Sequence, residues 1–227
     1  MIVTTTNKLQ ITQIKFPEIQ LQTRDAHKLR GYFGNLFKEY SPLLHNHYES
    51  GQLRYRYPLV QYKVIDKIPM LVGIDEGAEL LTQLFIKIEE IDVDGKMIPV
   101  NTKNIEVKKE KVGYSEELQE YQFETLWMGL NQKNFSEYQK LENQDEKNKL
   151  LNRLIIGNIL GFYSNIKLHL KPEERLFAKT NVYEKSTKFK GNDMIAFSGS
   201  FMVNAFLPNF IGLGKSVSRG FGALSRK

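Results

Sequence analysis

The sequence contains no cysteine among its 227 residues. That absence excludes disulfide cross-links, thiolate nucleophiles and cysteine-bound zinc together. It also fits a reducing compartment. Histidine is sparse, with His27, His45, His47 and His169 the only four. Long apolar runs are missing too. The most apolar helical stretch, Leu150 to Tyr163, carries Arg153 and two asparagines, and it falls short of the ~20 residues a membrane span needs. The N-terminus, Met1-Ile-Val-Thr-Thr-Thr, lacks the basic region and apolar core of a secretory signal. A soluble cytoplasmic protein without membrane attachment is expected.

Acidic residues disappear towards the C-terminus. None follows Asp193, whereas Lys215, Arg219, Arg226 and Lys227 do. The chain as a whole carries a net charge of +6, which by itself says little about partners. Its concentration in one segment says more: the C-terminal end is electropositive without interruption.

What is present describes a globular protein. A hydrophobic content of 41% supplies a core, and the length suits one large domain or two small ones. Lys8 to Gln22 reads as extended. A helix follows with Thr23 as its expected N-cap and Ala26, Leu29, Phe33, Leu36, Phe37 and Tyr40 at helical spacing. Ser41-Pro42 should end it. Two β-rich runs come next, Arg54 to Asp66 and Pro69 to Gly73, then a helix from Asp75 and extended, charged segments from Ile86 to Val112. The order is β-α-β-β-α-β, that of a ferredoxin-like domain.

A second unit begins near Gly113-Tyr114. Glu120 to Met128 is strand-like, Asn131 to Glu146 reads as a linker or short helix, and the strongest helix carries Leu151, Leu154, Ile155, Ile159, Phe162 and Ile166 on one stripe. Two long strands are expected at Phe177–Phe189 and Met194–Leu207. The predicted fold class is α+β, with two tandem ferredoxin-like (RRM-like) domains over residues 1–113 and 114–227. The second lacks a legible second helix, since Leu207-Pro208 runs straight into a glycine-rich stretch.

That stretch holds Gly212-x-Gly214 and Gly220-x-Gly222, with Lys215, Ser216, Ser218 and Arg219 between them. Two cations, two hydroxyls and exposed backbone N–H groups suit a phosphate backbone; a loose basic tail is the alternative. A nucleotide-binding P-loop is excluded, because the position that must be glycine is Asn209. No cofactor motif is legible.

His45 and His47 lie just after the first helix. At i and i+2 on an extended segment they point the same way and could supply a proton acceptor and donor at neutral pH. These are the roles that RNA cleavage without metal requires. A surface-loop coincidence is the alternative, and metal binding fits poorly, with only Glu49 nearby as a further ligand. Arg54 and Arg56 alternate with Tyr55 and Tyr57. One face could hold phosphates while rings stack on bases; equally, the tyrosines could fill the core with the arginines solvated. Lys63 is a weaker contact candidate on the tyrosine face.

The C-terminal GLGKSVSRGFGAL resembles the glycine-rich loop of the repeat-associated RAMP superfamily. More narrowly, LRGYFGNLFKEYSPLLHNHYESGQLRYRYPLVQYKVI and FSGSFMVNAFLPNFIGLGKSVSRGFGAL are similar to the two ends of CRISPR-associated endoribonucleases of the Cas six type. The resemblance implies two ferredoxin-like domains and one cut per repeat of a precursor CRISPR RNA. It implies attack by the 2′-hydroxyl without metal, leaving a 2′,3′-cyclic phosphate. The family's histidine pair maps onto His45 and His47, and its RNA-contacting loop onto Gly212 through Gly222. The candidate partners are CRISPR repeat RNA, further CRISPR effector subunits and a second copy of the chain. A non-catalytic RNA-binding subunit of a CRISPR ribonucleoprotein is the alternative function.

Overall fold

The computed structural model describes residues 4–37, 57–189 and 191–227. These fall into two compact units. One takes the described residues within Leu9–Glu110 together with Val217–Gly220. The other takes those before Leu9 with Lys111–Ser216 and Phe221–Lys227.

In the N-terminal unit, β1 (Thr6–Lys15) is followed by a 3₁₀ turn at Thr23–Asp25 and helix α1 (Ala26–Leu36). Asp25, and not Thr23, is the cap of the helix proper, because the 3₁₀ turn precedes it. The Asp25 carboxylate reaches back to accept from the Gln22 amide at 2.9 Å. Strands β2 (Val60–Ile65) and β3 (Ile68–Ile74) form a hairpin, and helix α2 (Glu76–Leu84) follows. Strand order is β2-β3-β1, antiparallel throughout, with Tyr62 opposite Leu71 and Leu71 opposite Ile14. One sheet face therefore presents Ile14, Phe16, Val60, Tyr62, Val64 and Leu71 to α1 and α2. Phe33 of α1 stacks on Phe16 and Tyr62 with ring centroids 6.2 and 6.0 Å away.

The charged stretch after α2 is more finely divided than its pattern suggests. It forms a short hairpin, β4 (Glu90–Val93) with β5 (Lys96–Pro99), and then the first part of a 20-residue strand, β6 (Asn104–Phe123). Asp94 and Gly95 both have positive φ, the requirement of the two-residue turn that best matches strand twist. Lys28 of α1 bridges Asp25 and Asp94 at 2.6 and 2.5 Å. Burial pushes the Asp25 carboxyl up, but the Lys28 ammonium and the Gln22 amide outweigh it and hold it below its ordinary value.

The C-terminal unit is built on the later part of β6, helices α3 (Gln132–Lys140) and α4 (Gln144–Asn165), and strands β7 (Ala178–Phe189), β8 (Asn192–Phe206) and β9 (Leu224–Arg226). Glu120–Met128 is not a separate strand: β6 ends at Phe123, and Trp127 makes an isolated bridge to Phe197. Within this unit β6 lies between β9 and β8, and β7 forms the edge. Helix α4 buries Leu151, Ile155, Ile159 and Phe162. The Asn152 carboxamide oxygen fixes it to β7 by accepting from the Thr180 amide and hydroxyl, each at 2.7 Å. Between β8 and β9, where a complete ferredoxin-like repeat carries its second helix, there is only the glycine-rich segment and a one-turn 3₁₀ helix at Val217–Arg219. Among the described residues no helix is long and apolar enough to cross a membrane.

Candidate nucleic-acid interface

The glycine-rich segment is ordered by its own backbone. The Phe210 amide donates to the Leu224 carbonyl at 2.6 Å, Leu224 donates to Ile211 at 3.2 Å, and Leu213 donates to Gly222 at 2.9 Å. Gly212 bridges Ala223. Ile211, Leu213, Ala223 and Leu224 are buried. A short antiparallel ladder thus closes the base of a loop that runs from Gly214 to Phe221. This is a built loop, with the register of a hairpin, and not a loose tail.

Gly222 is needed for packing. Its φ is +65°, and a Cβ there would lie 2.0 Å from the Leu213 carbonyl oxygen. At Gly222 the glycine answers to the close approach of the chain to itself. The Lys215 amide donates to the Met128 carbonyl at 2.9 Å, which fixes the backbone while the side chain stands exposed. Ser216 is half-buried with φ +56°.

Val217 to Gly220 belong to the N-terminal unit. Val217 is buried, while Ser218 and Arg219 are half-buried in the 3₁₀ turn. Gly220, at φ +98°, lies so close to α1 that a Cβ would come within 2.6 Å of the Ala26 Cβ.

Lys63, expected as a weaker contact, is fully buried, and its ammonium donates to the Val217 carbonyl at 3.1 Å. Burial alone brings its pKa down to about 7. A lysine with no exposed surface cannot itself touch a ligand in this state; it holds the 3₁₀ turn from below. Tyr62, its neighbour on the opposite sheet face, is also fully buried, and its phenol is pushed up by desolvation. Arg30, which helical periodicity does not single out, is half-buried on α1. Burial and the charge of Arg219 both disfavour its charged form. His45, His47, Arg54 and Arg56 lie outside the described residues.

Residues 7–111 match the Cas6b N-terminal domain, and residues 113–227 match the Cas6b C-terminal domain. The chain belongs to the Cas6b family. It is similar to a solved structure of Cas6b, at 32% identity and a TM-score of 0.91, over 97% of this chain and 100% of that one. A solved structure of the CRISPR RNA processing endoribonuclease Cas6b is 31% identical, with a TM-score of 0.79 over the same shares. An uncharacterised protein of Methanocaldococcus jannaschii is 37% identical over 145 residues, which is 63% of this chain and 97% of that protein. The two-unit α+β architecture thus matches that of the solved Cas6b structures.

Proposed function

We propose that this Cas6b chain is an endoribonuclease that cuts precursor CRISPR RNA within each repeat, working in the cytoplasm without a metal ion. The observation that carries the reading is the similarity over 97% of the chain to a CRISPR RNA processing endoribonuclease. The ordered basic loop agrees with it, since exposed Lys215 and the hydroxyls of Ser216 and Ser218 suit contacts to an RNA backbone.

In this reading one of His45 and His47 removes the proton from a 2′-hydroxyl. That oxygen forms a bond to the adjacent phosphorus as the bond from phosphorus to the 5′-oxygen breaks. The other histidine gives its proton to the departing 5′-oxygen. The products are a 2′,3′-cyclic phosphate and a free 5′-hydroxyl, so atoms and charge balance without a metal or water. Arg54 and Arg56 are assigned to phosphates along the strand, and Lys63 to holding the loop that meets the RNA.

The test is cleavage of the repeat RNA encoded in the same genome, with EDTA present. Cutting is expected once per repeat. A 2′-deoxy nucleotide on the 5′ side of the cut should abolish cleavage and leave binding intact. Cleavage of that deoxy substrate would overturn the mechanism. Tight binding with no cleavage of any repeat RNA would leave the chain a non-catalytic RNA-binding subunit.

A further inference from the structure

In the C-terminal unit, two cations converge on one aromatic ring. Phe206 closes β8 opposite Gly113 of β6. The Tyr163 hydroxyl ties this pair, lying 2.8 Å from the Gly113 carbonyl oxygen and 2.9 Å from the Phe206 carbonyl oxygen. Gly113 offers no side chain to the ring. Lys111, two residues earlier on the strand and so on the same sheet face, takes the diagonal position that a long side chain can bridge. Its ammonium lies 4.0 Å from the centre of the Phe206 ring. Arg226 reaches the same ring from β9, with its guanidinium carbon 5.9 Å from the centre. The Asn209 carboxamide oxygen fixes the Arg226 backbone by accepting from its amide at 2.8 Å.

An aromatic face holds a cation without neutralising it. A carboxylate neutralises it, as Glu120 does for Lys227 at 2.7 Å. Among the described residues neither Lys111 nor Arg226 forms an ion pair, and both are exposed beside a half-buried ring. Two seated positive charges with an aromatic side chain between them suit the backbone of a single-stranded nucleic acid. The patch lies at one end of the glycine-loop ladder. Arg226 follows Leu224, which accepts from Phe210, whereas Lys215 lies beyond the Leu213–Gly222 bond at the other end. A strand that touches both runs along the hairpin.

We propose that Lys111 and Arg226 hold neighbouring phosphates of the RNA strand, with Phe206 as the positioning residue that seats both side chains. The proposal rests on the RNA-processing reading above and extends its contacts from the loop to the base of the loop's ladder.

The experiment measures anisotropy of a labelled CRISPR repeat RNA over a range of salt. The proteins are wild type, Lys111→Gln, Arg226→Gln, their double variant, and Phe206→Leu in wild type and in the double variant. Lys133→Gln, at an exposed lysine on α3 of the same unit, is the control. Lys111→Gln and Arg226→Gln are each expected to weaken binding several-fold and to lower the salt slope by about 0.7, the share of one phosphate on a single strand. The double variant should lose about 1.4. Phe206→Leu should weaken wild-type binding about threefold and add nothing in the double variant, since the ring acts through the two cations. Lys133→Gln should keep the wild-type affinity and slope.

Wild-type affinity and slope in the double variant would overturn the site. A loss from Lys133→Gln equal to that from Lys111→Gln would reduce the effect to net charge and overturn it too. A Phe206→Leu loss that persists in full in the double variant would overturn the positioning role of the ring. If wild type itself does not bind the repeat, the RNA-processing reading fails, and this site with it.

Discussion

The Lys63 ammonium donates to the Val217 carbonyl over 3.1 Å, and both residues are buried. Desolvation brings the amine from 10.5 to about 7. In the unfolded chain the same amine keeps its proton up to the higher value. Between the two, the unfolded state binds more protons, so stability rises with pH across that window. Below about 7 both states are protonated and the burden of a buried charge is at its largest. Lys63→Met should remove this dependence. The variant should gain on wild type below pH 7 and lose to it near pH 10, where it lacks the bond to the Val217 carbonyl, at a cost of ~0.5–1.5 kcal/mol. Urea unfolding at a series of pH values reads both effects. Parallel pH profiles for the two proteins would show that Lys63 does not titrate as inferred.

Glycine substitutions should divide sharply by environment. Gly222→Ala places a Cβ 2.0 Å from a carbonyl oxygen at a positive φ, so a loss of ~2 kcal/mol or more is expected. At Gly157 and Gly161, on α4, a Cβ would meet nothing within 4 Å. Alanine at Gly157 should raise stability by about 0.5–1 kcal/mol through helix propensity. The sole tryptophan, Trp127, is fully buried in the same unit and donates to Asn158 at 3.0 Å. Its fluorescence reports both variants, and equal stabilities would contradict the packing role of the loop glycine.

Periodicity is enough for the N-terminal β-α-β-β-α order, because Leu29, Phe33 and the alternating Tyr62 and Val64 meet on one core. It fails where the pattern is charged. Asn104 to Glu110 mixes Lys and Glu with little apolar content and is largely exposed, so nothing in its composition announces a 20-residue strand. The fate of Lys63 is equally illegible. A lysine between apolar neighbours on a strand ordinarily reads as solvent-facing, yet this one is fully buried and bonded to Val217, 154 positions later. The loop is legible as a special backbone, but its glycines answer to Leu213 and Ala26 before any ligand.

Lys215 offers the cleanest test of an electrostatic contact. Its side chain is exposed while its amide is fixed to Met128, so Lys215→Ala should leave the loop and the melting temperature unchanged. RNA affinity should fall several-fold, uniformly across sequences, and the salt slope should drop by ~0.7–1. A sequence-selective loss would point to a base contact, and an unaltered slope would remove Lys215 from the phosphate path.

The two histidines can be assigned separately by changing the leaving group. General acid and base groups contribute ~10²–10⁴ in rate each, so His45→Ala and His47→Ala should each slow cleavage within that range. Groups that act in one transition state combine non-additively, and the double variant should fall short of the product of the two losses. A substrate with sulfur in place of the bridging 5′-oxygen loses its leaving group without protonation. It should restore the variant that lacks the acid and leave the variant that lacks the base slow. Binding of the uncut deoxy RNA should stay within a few-fold of wild type in all three variants. Rescue of both single variants by the sulfur substrate would mean that neither histidine is the base, and Tyr48 would be the next residue to test in that role.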